Sequence, residues 1–345
     1  MIREIQIDEK EEWDAGVKAF EKYDVFYLNR YVKAFQEEGD GVPALIYAEY
    51  GNAKAINVIM KRDIADCPYF QGKLEKNKYF DLSSPYGYGG FLVKGEPSDF
   101  RVILKEYDTY CRTKGYVSEF VRFELFGSYR KYYTGQVETR THNIVRSLEG
   151  TIEEIFADFE YKVRKNYRKA IKNGLDILID ERGERLDDFL RIYYGTMERT
   201  EAKEEFFFKE RFFKTLNEME DNVCYFHVLN EGKIISTELV IYGSENVYSY
   251  LGGTDSDYFS VRPNDFLKVE IIKWAKEKGF RNFVLGGGYG SDDGIFRYKK
   301  SFAPEGTIDF YIGKKIFNQE KYTMLMKLRG DVDVIGNQFF PGYRG

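Results

Sequence analysis

The residues best equipped for chemistry lie late in the chain. A glycine run, Gly286-Gly287-Gly288-Tyr289-Gly290, is followed by Asp292 and Asp293 and then by the basic turn Arg297-Tyr298-Lys299-Lys300. Backbone amides in a glycine run can be turned together onto an anion or a developing oxyanion. The two acids could take the proton of an attacking amine or hold an acceptor. An Asp just ahead of a short helix is equally the usual N-cap. Lys299 supplies a cation beside them, or is one more surface lysine in a basic turn. The run is not a dinucleotide fingerprint, because its spacing is wrong and no ribose-binding acid is placed, and it is not a Walker loop. Glu238, inside Ile235-Ser236-Thr237-Glu238-Leu239, is an acid in a strand that either faces solvent or lines a cleft.

A second constellation is Ser84-Pro85-Tyr86-Gly87-Tyr88-Gly89-Gly90. So many glycines beside a proline forbid regular structure. The run reads either as a turn with its tyrosines packed on the surface, or as a cleft wall where Tyr86 and Tyr88 offer stacking and hydroxyls. The third is the segment from Thr151 to Gly174. Phe156, Phe159, Val163, Tyr167, Ala170 and Ile171 fall on one helical face, and Lys162, Arg164, Lys165, Arg168, Lys169 and Lys172 spread over the other. In a chain of net charge -5 this is a local basic patch. It suits contact with phosphates, or forms a solvated face with partners such as Glu160.

Other chemistries lack their residues. His142 and His227 are the only histidines, and neither has a Cys or His at ligand spacing. No metal site and no Ser/His or Cys/His nucleophile is expected. Cys67, Cys111 and Cys224 are odd in number and far apart, which argues against a disulfide framework and for a reducing compartment. No apolar run has membrane-spanning length and the start of the chain has no secretory pattern, so a cytoplasmic protein is expected. The negative balance argues against DNA and leaves at most peripheral membrane contact.

The elements that must position these residues can be read around them. The length of 345 residues suits two domains. In the first, a helix is expected near Leu28 to Glu38. Strands Pro43 to Tyr50 and Ala53 to Lys61 are joined by Gly51-Asn52, and a helix from Phe100 to Lys114 leads to a strand from Tyr116. In the second, strands cover Val223 to Leu229, Lys233 to Tyr242 and Val247 to Leu251. A helix opens after Pro263, capped by Asn264 or Asp265, with Leu267, Ile271, Trp274 and Ala275 on its core face and Gly279 at its end. Strands Phe283 to Leu285 and Thr307 to Ile312 come after it. Gly89-Gly90, helix, Lys114-Gly115, strand recurs 163 and 164 residues later as Gly252-Gly253, helix, Lys278-Gly279, strand. That is the mark of a tandem duplication. A ferredoxin-like pair is the alternative fold for each copy.

Pro263, Leu267, Lys278-Gly279, Leu285-Gly286-Gly287 and Tyr298-Lys299-Lys300-Ser301-Phe302, with the basic helix and the Ser84 to Gly90 run, resemble the FemABX-type aminoacyltransferases, within the GNAT-fold acyltransferase superfamily. The resemblance implies an α+β fold of two tandem GNAT-like domains, each a mixed, mostly antiparallel sheet flanked by helices. The first spans 1-150, possibly completed by a tail at 316-345, and the second spans 151-315. It implies transfer of an aminoacyl group from aminoacyl-tRNA to an amine of a peptidoglycan or other nucleotide- or lipid-linked envelope precursor, without a cofactor. Lys299 and Asp292 would be catalytic. Tyr86, Tyr88, Tyr250, Gly287, Gly288 and Arg297 would bind substrate, and Arg164, Lys165, Arg168 and Lys169 would meet tRNA phosphates. Two departures are visible: the pyrophosphate loop of acetyl-CoA users and the long coiled-coil arm of some tRNA-dependent members are both absent. An acyl-CoA-dependent N-acyltransferase, with acetyl-CoA as the simplest donor, and a non-catalytic RNA- or glycan-binding duplicate are the other readings.

Overall fold

The computed structural model describes residues 2–288, 293–330 and 339–345. In chain order the elements are β1 (Ile2–Gln6), α1 (Lys10–Lys18), α2 (Asn29–Glu37), β2 (Val42–Tyr50), β3 (Ala53–Asp63), β4 (Phe80–Ser83), β5 (Leu92–Lys94), α3 (Pro97–Thr113) and β6 (Ser118–Arg122). They continue with β7 (Gln136–Ser147), α4 (Ile152–Asp158), α5 (Tyr161–Lys172), β8 (Asp176–Asp180), α6 (Leu186–Arg199), α7 (Glu210–Asn217), β9 (Val223–Asn230), β10 (Lys233–Tyr242) and β11 (Asn246–Thr254). Last come α8 (Pro263–Glu277), β12 (Asn282–Gly286), α9 (Gly294–Lys300), β13 (Thr307–Ile316) and α10 (Gln319–Arg329). Contacts divide the chain into one unit of residues 1–140 with 310–345 and another of residues 141–309.

The first unit orders its strands β1-β2-β3-β4-β6-β13, with β5 paired to β3. All pairs are antiparallel except β4 with β6. The Gly51-Asn52 turn forms as its sequence predicts, with Tyr50 opposite Ala53. The parallel pair follows from the crossover: α3, opened by Pro97 at its first turn, carries the chain back so that β6 runs alongside β4. Its core is aromatic, with Phe91 set edge-on against Phe100, Tyr107 and Tyr129.

The second unit orders its strands β7-β12-β11-β10-β9-β8, antiparallel except β11 with β12. The crossover helix α8 buries Leu267, Ile271, Trp274 and Ala275 as its periodicity predicts. Its cap differs from expectation. Pro263 is the first helical residue and Arg262 caps in the left-handed region at φ 67°. Asn264 and Asp265 are instead engaged by Thr254 and by Asn166. The basic segment also differs. It is two helices rather than one, broken at Phe159 (φ −60°, ψ 150°), whose ring is buried while the Glu160 amide donates to the Ser301 carbonyl at 2.9 Å. A Thr151/Glu154 capping box starts the first of them. Ile171 stands 53% exposed, outside the stripe it was placed in.

All three cysteines are free and buried. Among the described residues no helix is long and apolar enough to cross a membrane, and no group of His, Cys, Asp or Glu is placed to hold a metal ion.

Candidate active site

The second unit's parallel pair opens the site. β11 and β12 pair only through Asn246 to Tyr248 and Asn282 to Val284, yet β11 runs on to Thr254. From Ser249 onward the two strands are no longer bonded, and a cavity of about 240 Å³ lies along the free stretch of β11. Glu238, Ser249, Tyr250, Leu267, Lys268 and Tyr298 are among its lining residues. Openings at the carboxyl ends of parallel strands are where α/β sites form, because the flanking connections diverge there. Glycine matters at one point in particular: a Cβ on Gly253 would collide with the Thr196 hydroxyl and come within 2.8 Å of the Ile192 carbonyl, so its absence lets α6 close over β11.

Glu238 comes from β10, opposite Gly252. Both of its carboxylate oxygens accept from the Lys268 ammonium, which also reaches the Ser249 hydroxyl at 2.6 Å. The two side chains are only 7% and 11% exposed. The strand acid therefore lines the cavity rather than facing solvent. Among the described residues the Tyr298 hydroxyl has no hydrogen-bond partner, and it is buried in a residue that lines the same cavity. Burial, and then the carboxylates of Asp265 and Glu238, hold its proton on.

Lys299, next along α9, donates to the Gly287 carbonyl at 2.6 Å. Burial pushes its ammonium down to about 8, with the charge of Lys268 acting in the same direction and Glu238 and Asp293 opposing. Gly286, at φ +79°, makes the turn that brings Gly287 to it. Asp293 is the N-cap of α9, accepting from the Phe296 amide at 2.7 Å. Asp292 lies outside the described residues.

The remaining expected residues are scattered. Tyr250 is half-buried in the cavity wall, Gly287 and Gly288 sit at the end of β12, and Arg297 is exposed on α9. Arg164 is turned onto the Ala157 and Phe159 carbonyls, closing the end of α4. Lys165, Arg168 and Lys169 are exposed and, among the described residues, form no ion pair, with Glu160 or any other acid. In the first unit Tyr86 is 44% exposed and stacks on Phe35. Tyr88 is instead buried, edge-on to Phe26 and Phe310. Sequence reasoning missed Lys268 and Ser249. The available signal for Lys268 was a charge between Leu267 and Ile271, on a helix with nine buried positions.

A family model for an acetyltransferase (GNAT) domain matches residues 157–300. Among solved structures, the crystal structure of FemX aligns with a TM-score of 0.67 at 15% identity, covering 93% of this chain and 99% of that one. The structure of L-PGS from Bacillus licheniformis aligns at 0.58 and 15% identity, covering 94% and 97%. The C-terminal domain of a putative lysylphosphatidylglycerol synthetase from Agrobacterium fabrum aligns at 0.55 and 14%, covering 92% and 96%. At such identities the likeness is one of fold. A search of curated proteins finds no match.

Proposed function

Starting from a chain that carries a GNAT acetyltransferase domain over residues 157–300, we propose that it is an acyltransferase that forms an amide bond. It moves an aminoacyl group from aminoacyl-tRNA to an amine of a cell-envelope precursor. The observation that carries this reading is Lys299: a half-buried ammonium held at the Gly287 carbonyl, just past the end of β12. The fold shared with FemX, and with a protein named for lysylphosphatidylglycerol synthesis, supports an aminoacyl donor and an envelope acceptor.

The reaction needs a neutral amine aimed at the ester carbonyl, a donor for the tetrahedral oxyanion and a place for the amine proton. Lys299, protonated below about 8, supplies the charged donor. Glu238 takes the proton as the amine becomes an amide, with Lys268 holding its carboxylate in the cavity wall. As the new C–N bond forms, the ester C–O bond breaks, and the tRNA ribose oxygen leaves with that bond's electron pair and is protonated from solvent. The exposed Lys165, Arg168 and Lys169 provide cations for donor phosphates.

The test is turnover by the purified protein with charged tRNA and a nucleotide-linked muropeptide. Lys299→Met should lower kcat by about 10²–10³-fold, the range for removing one oxyanion donor, in a variant that still unfolds cooperatively. Activity should fall as pH rises through about 8, where Lys299 loses its proton. Full activity in Lys299→Met would reject the assignment. Acyl-CoA consumption without any tRNA requirement would replace the donor.

A further inference from the structure

The second unit holds another cavity, of about 760 Å³, at the far end of α8 from Lys268. Its walls come from the end of α8, the end of β10, the turn after α7 and the loop after β8. No residue lines both it and the Glu238 cavity. Three rings line it. Tyr242 packs edge-on to Trp274 and Phe280, with centroids 5.5 and 5.2 Å away, and Trp274 and Phe280 lie 5.7 Å apart. Trp274 is 6% exposed, and among the described residues its indole Nε1 donates to nothing. A buried donor left unmet in a residue of a cavity wall calls for an acceptor.

The electrostatics of this cavity favour a cation. The Lys278 ammonium stands 5.9 Å over the Trp274 ring and bonds Glu181 at 3.1 Å, so the chain already sets one cation against that aromatic face. Glu220 and Asp221 on the rim are exposed and, among the described residues, form no ion pair; neither does Arg182. An adjoining cavity of about 430 Å³ shares Glu181, Arg182, Trp274 and Lys278 and adds the unpaired Glu184. Its Asp180 is turned onto the amides of Arg182, Glu184 and Arg185. Four carboxylates, those of Glu181, Glu184, Glu220 and Asp221, thus face the two cations Arg182 and Lys278. Two helices also end here, α7 at Asn217 and α8 at Glu277, and a helix C-terminus carries partial negative charge. That field repels phosphates and carboxylates, whereas aromatic faces and acids together suit an alkylammonium or a guanidinium.

We propose that this cavity is a second binding site, for an organic cation: an alkylammonium or guanidinium group carried on a short chain, taken up beside or in place of the Lys278 ammonium. The site is separate from the reaction cavity and does not depend on the function proposed above.

Titration calorimetry with the full chain tests it without turnover. The probes are agmatine, which carries a guanidinium and an ammonium, and 1-pentanol as a neutral chain. Agmatine should bind and pentanol should not. Glu220→Gln combined with Asp221→Asn should weaken agmatine by about fivefold, and Lys278→Met, which removes the resident cation, should strengthen it by about threefold, the scale of exposed charge pairs. All three positions are exposed, so the fold should survive both variants. Glu160→Gln, at the start of α5, should leave binding unchanged. Acetyl-arginine amide binding more tightly than agmatine would assign the site to a peptide side chain, and the reverse to a free polyamine. No agmatine binding by wild type, equal binding of agmatine and pentanol, or binding unmoved by the double substitution or by Lys278→Met overturns the proposal.

Discussion

The two units build the same motif and use it differently. In each, a strand leads through a proline-opened helix to a parallel neighbour: β4, α3 and β6 in one, β11, α8 and β12 in the other. In the second unit β11 runs past its pairing with β12 and leaves a cavity with polar walls. In the first, β4 stops at Ser83 and the Ser84 to Gly90 run is tied down. Its Gly90 carbonyl accepts from Tyr27 and its Tyr86 carbonyl from Tyr31, each at 2.9 Å, and Gly89 bridges to Phe123. Rings of Phe91, Phe100, Tyr107 and Tyr129 fill the interior. One copy of a motif can be packed shut while the other stays open, because the segment leaving the first strand decides whether the gap is filled.

The contrast can be broken in order of effect. Phe100→Ala should cost about 3–5 kcal/mol in urea unfolding, since it empties the packed copy at a residue 1% exposed. A loss under about 1 kcal/mol would mean the first unit is not held by that cluster. Glu238→Gln should cost a similar 3–5 kcal/mol, for a different reason: it leaves the Lys268 ammonium buried without its counter-charge. Changing Lys268 to Met in the same chain should restore much of it. Tyr298→Phe should shift stability by less than about 1 kcal/mol, because the lost hydroxyl has no partner among the described residues to strand, while still impairing turnover if substrate fills the cavity.

A further difference is a pH signature. Lys299 titrates near 8 in the folded chain and at roughly 10.4 unfolded. Between these values the unfolded state binds more protons, so this group makes stability rise with pH across that window. Urea midpoints for wild type minus Lys299→Met should show the rise between about pH 8 and roughly pH 10, and a flat difference would mean the ammonium is better solvated than its burial implies.

What was legible in the sequence was local. Pro263 and Gly279 bracket α8, Gly51-Asn52 turns the hairpin, and the Tyr298-Lys299 step places a lysine beside a glycine run. What was not legible depends on tertiary packing. Lys268 and Glu238 are 30 residues apart. Only the packing of α8 against β10 puts the two together. The break at Phe159 escaped because both sides keep helical periodicity, and it is tertiary burial of that ring that turns the backbone out of the helix.

The first unit is split by the second. Its strand β6 pairs with β13 through Ser118 to Arg122 and Ile312 to Ile316, and Tyr343 and Arg344 reach its buried Asp81. Synthesis on the ribosome is vectorial. Residues 1–140 emerge first but lack their last strand and their C-terminal anchor, whereas residues 141–309 emerge as an uninterrupted segment. The later-made unit can therefore finish folding before the earlier one, which must wait until residues 310–345 have been made to close its sheet.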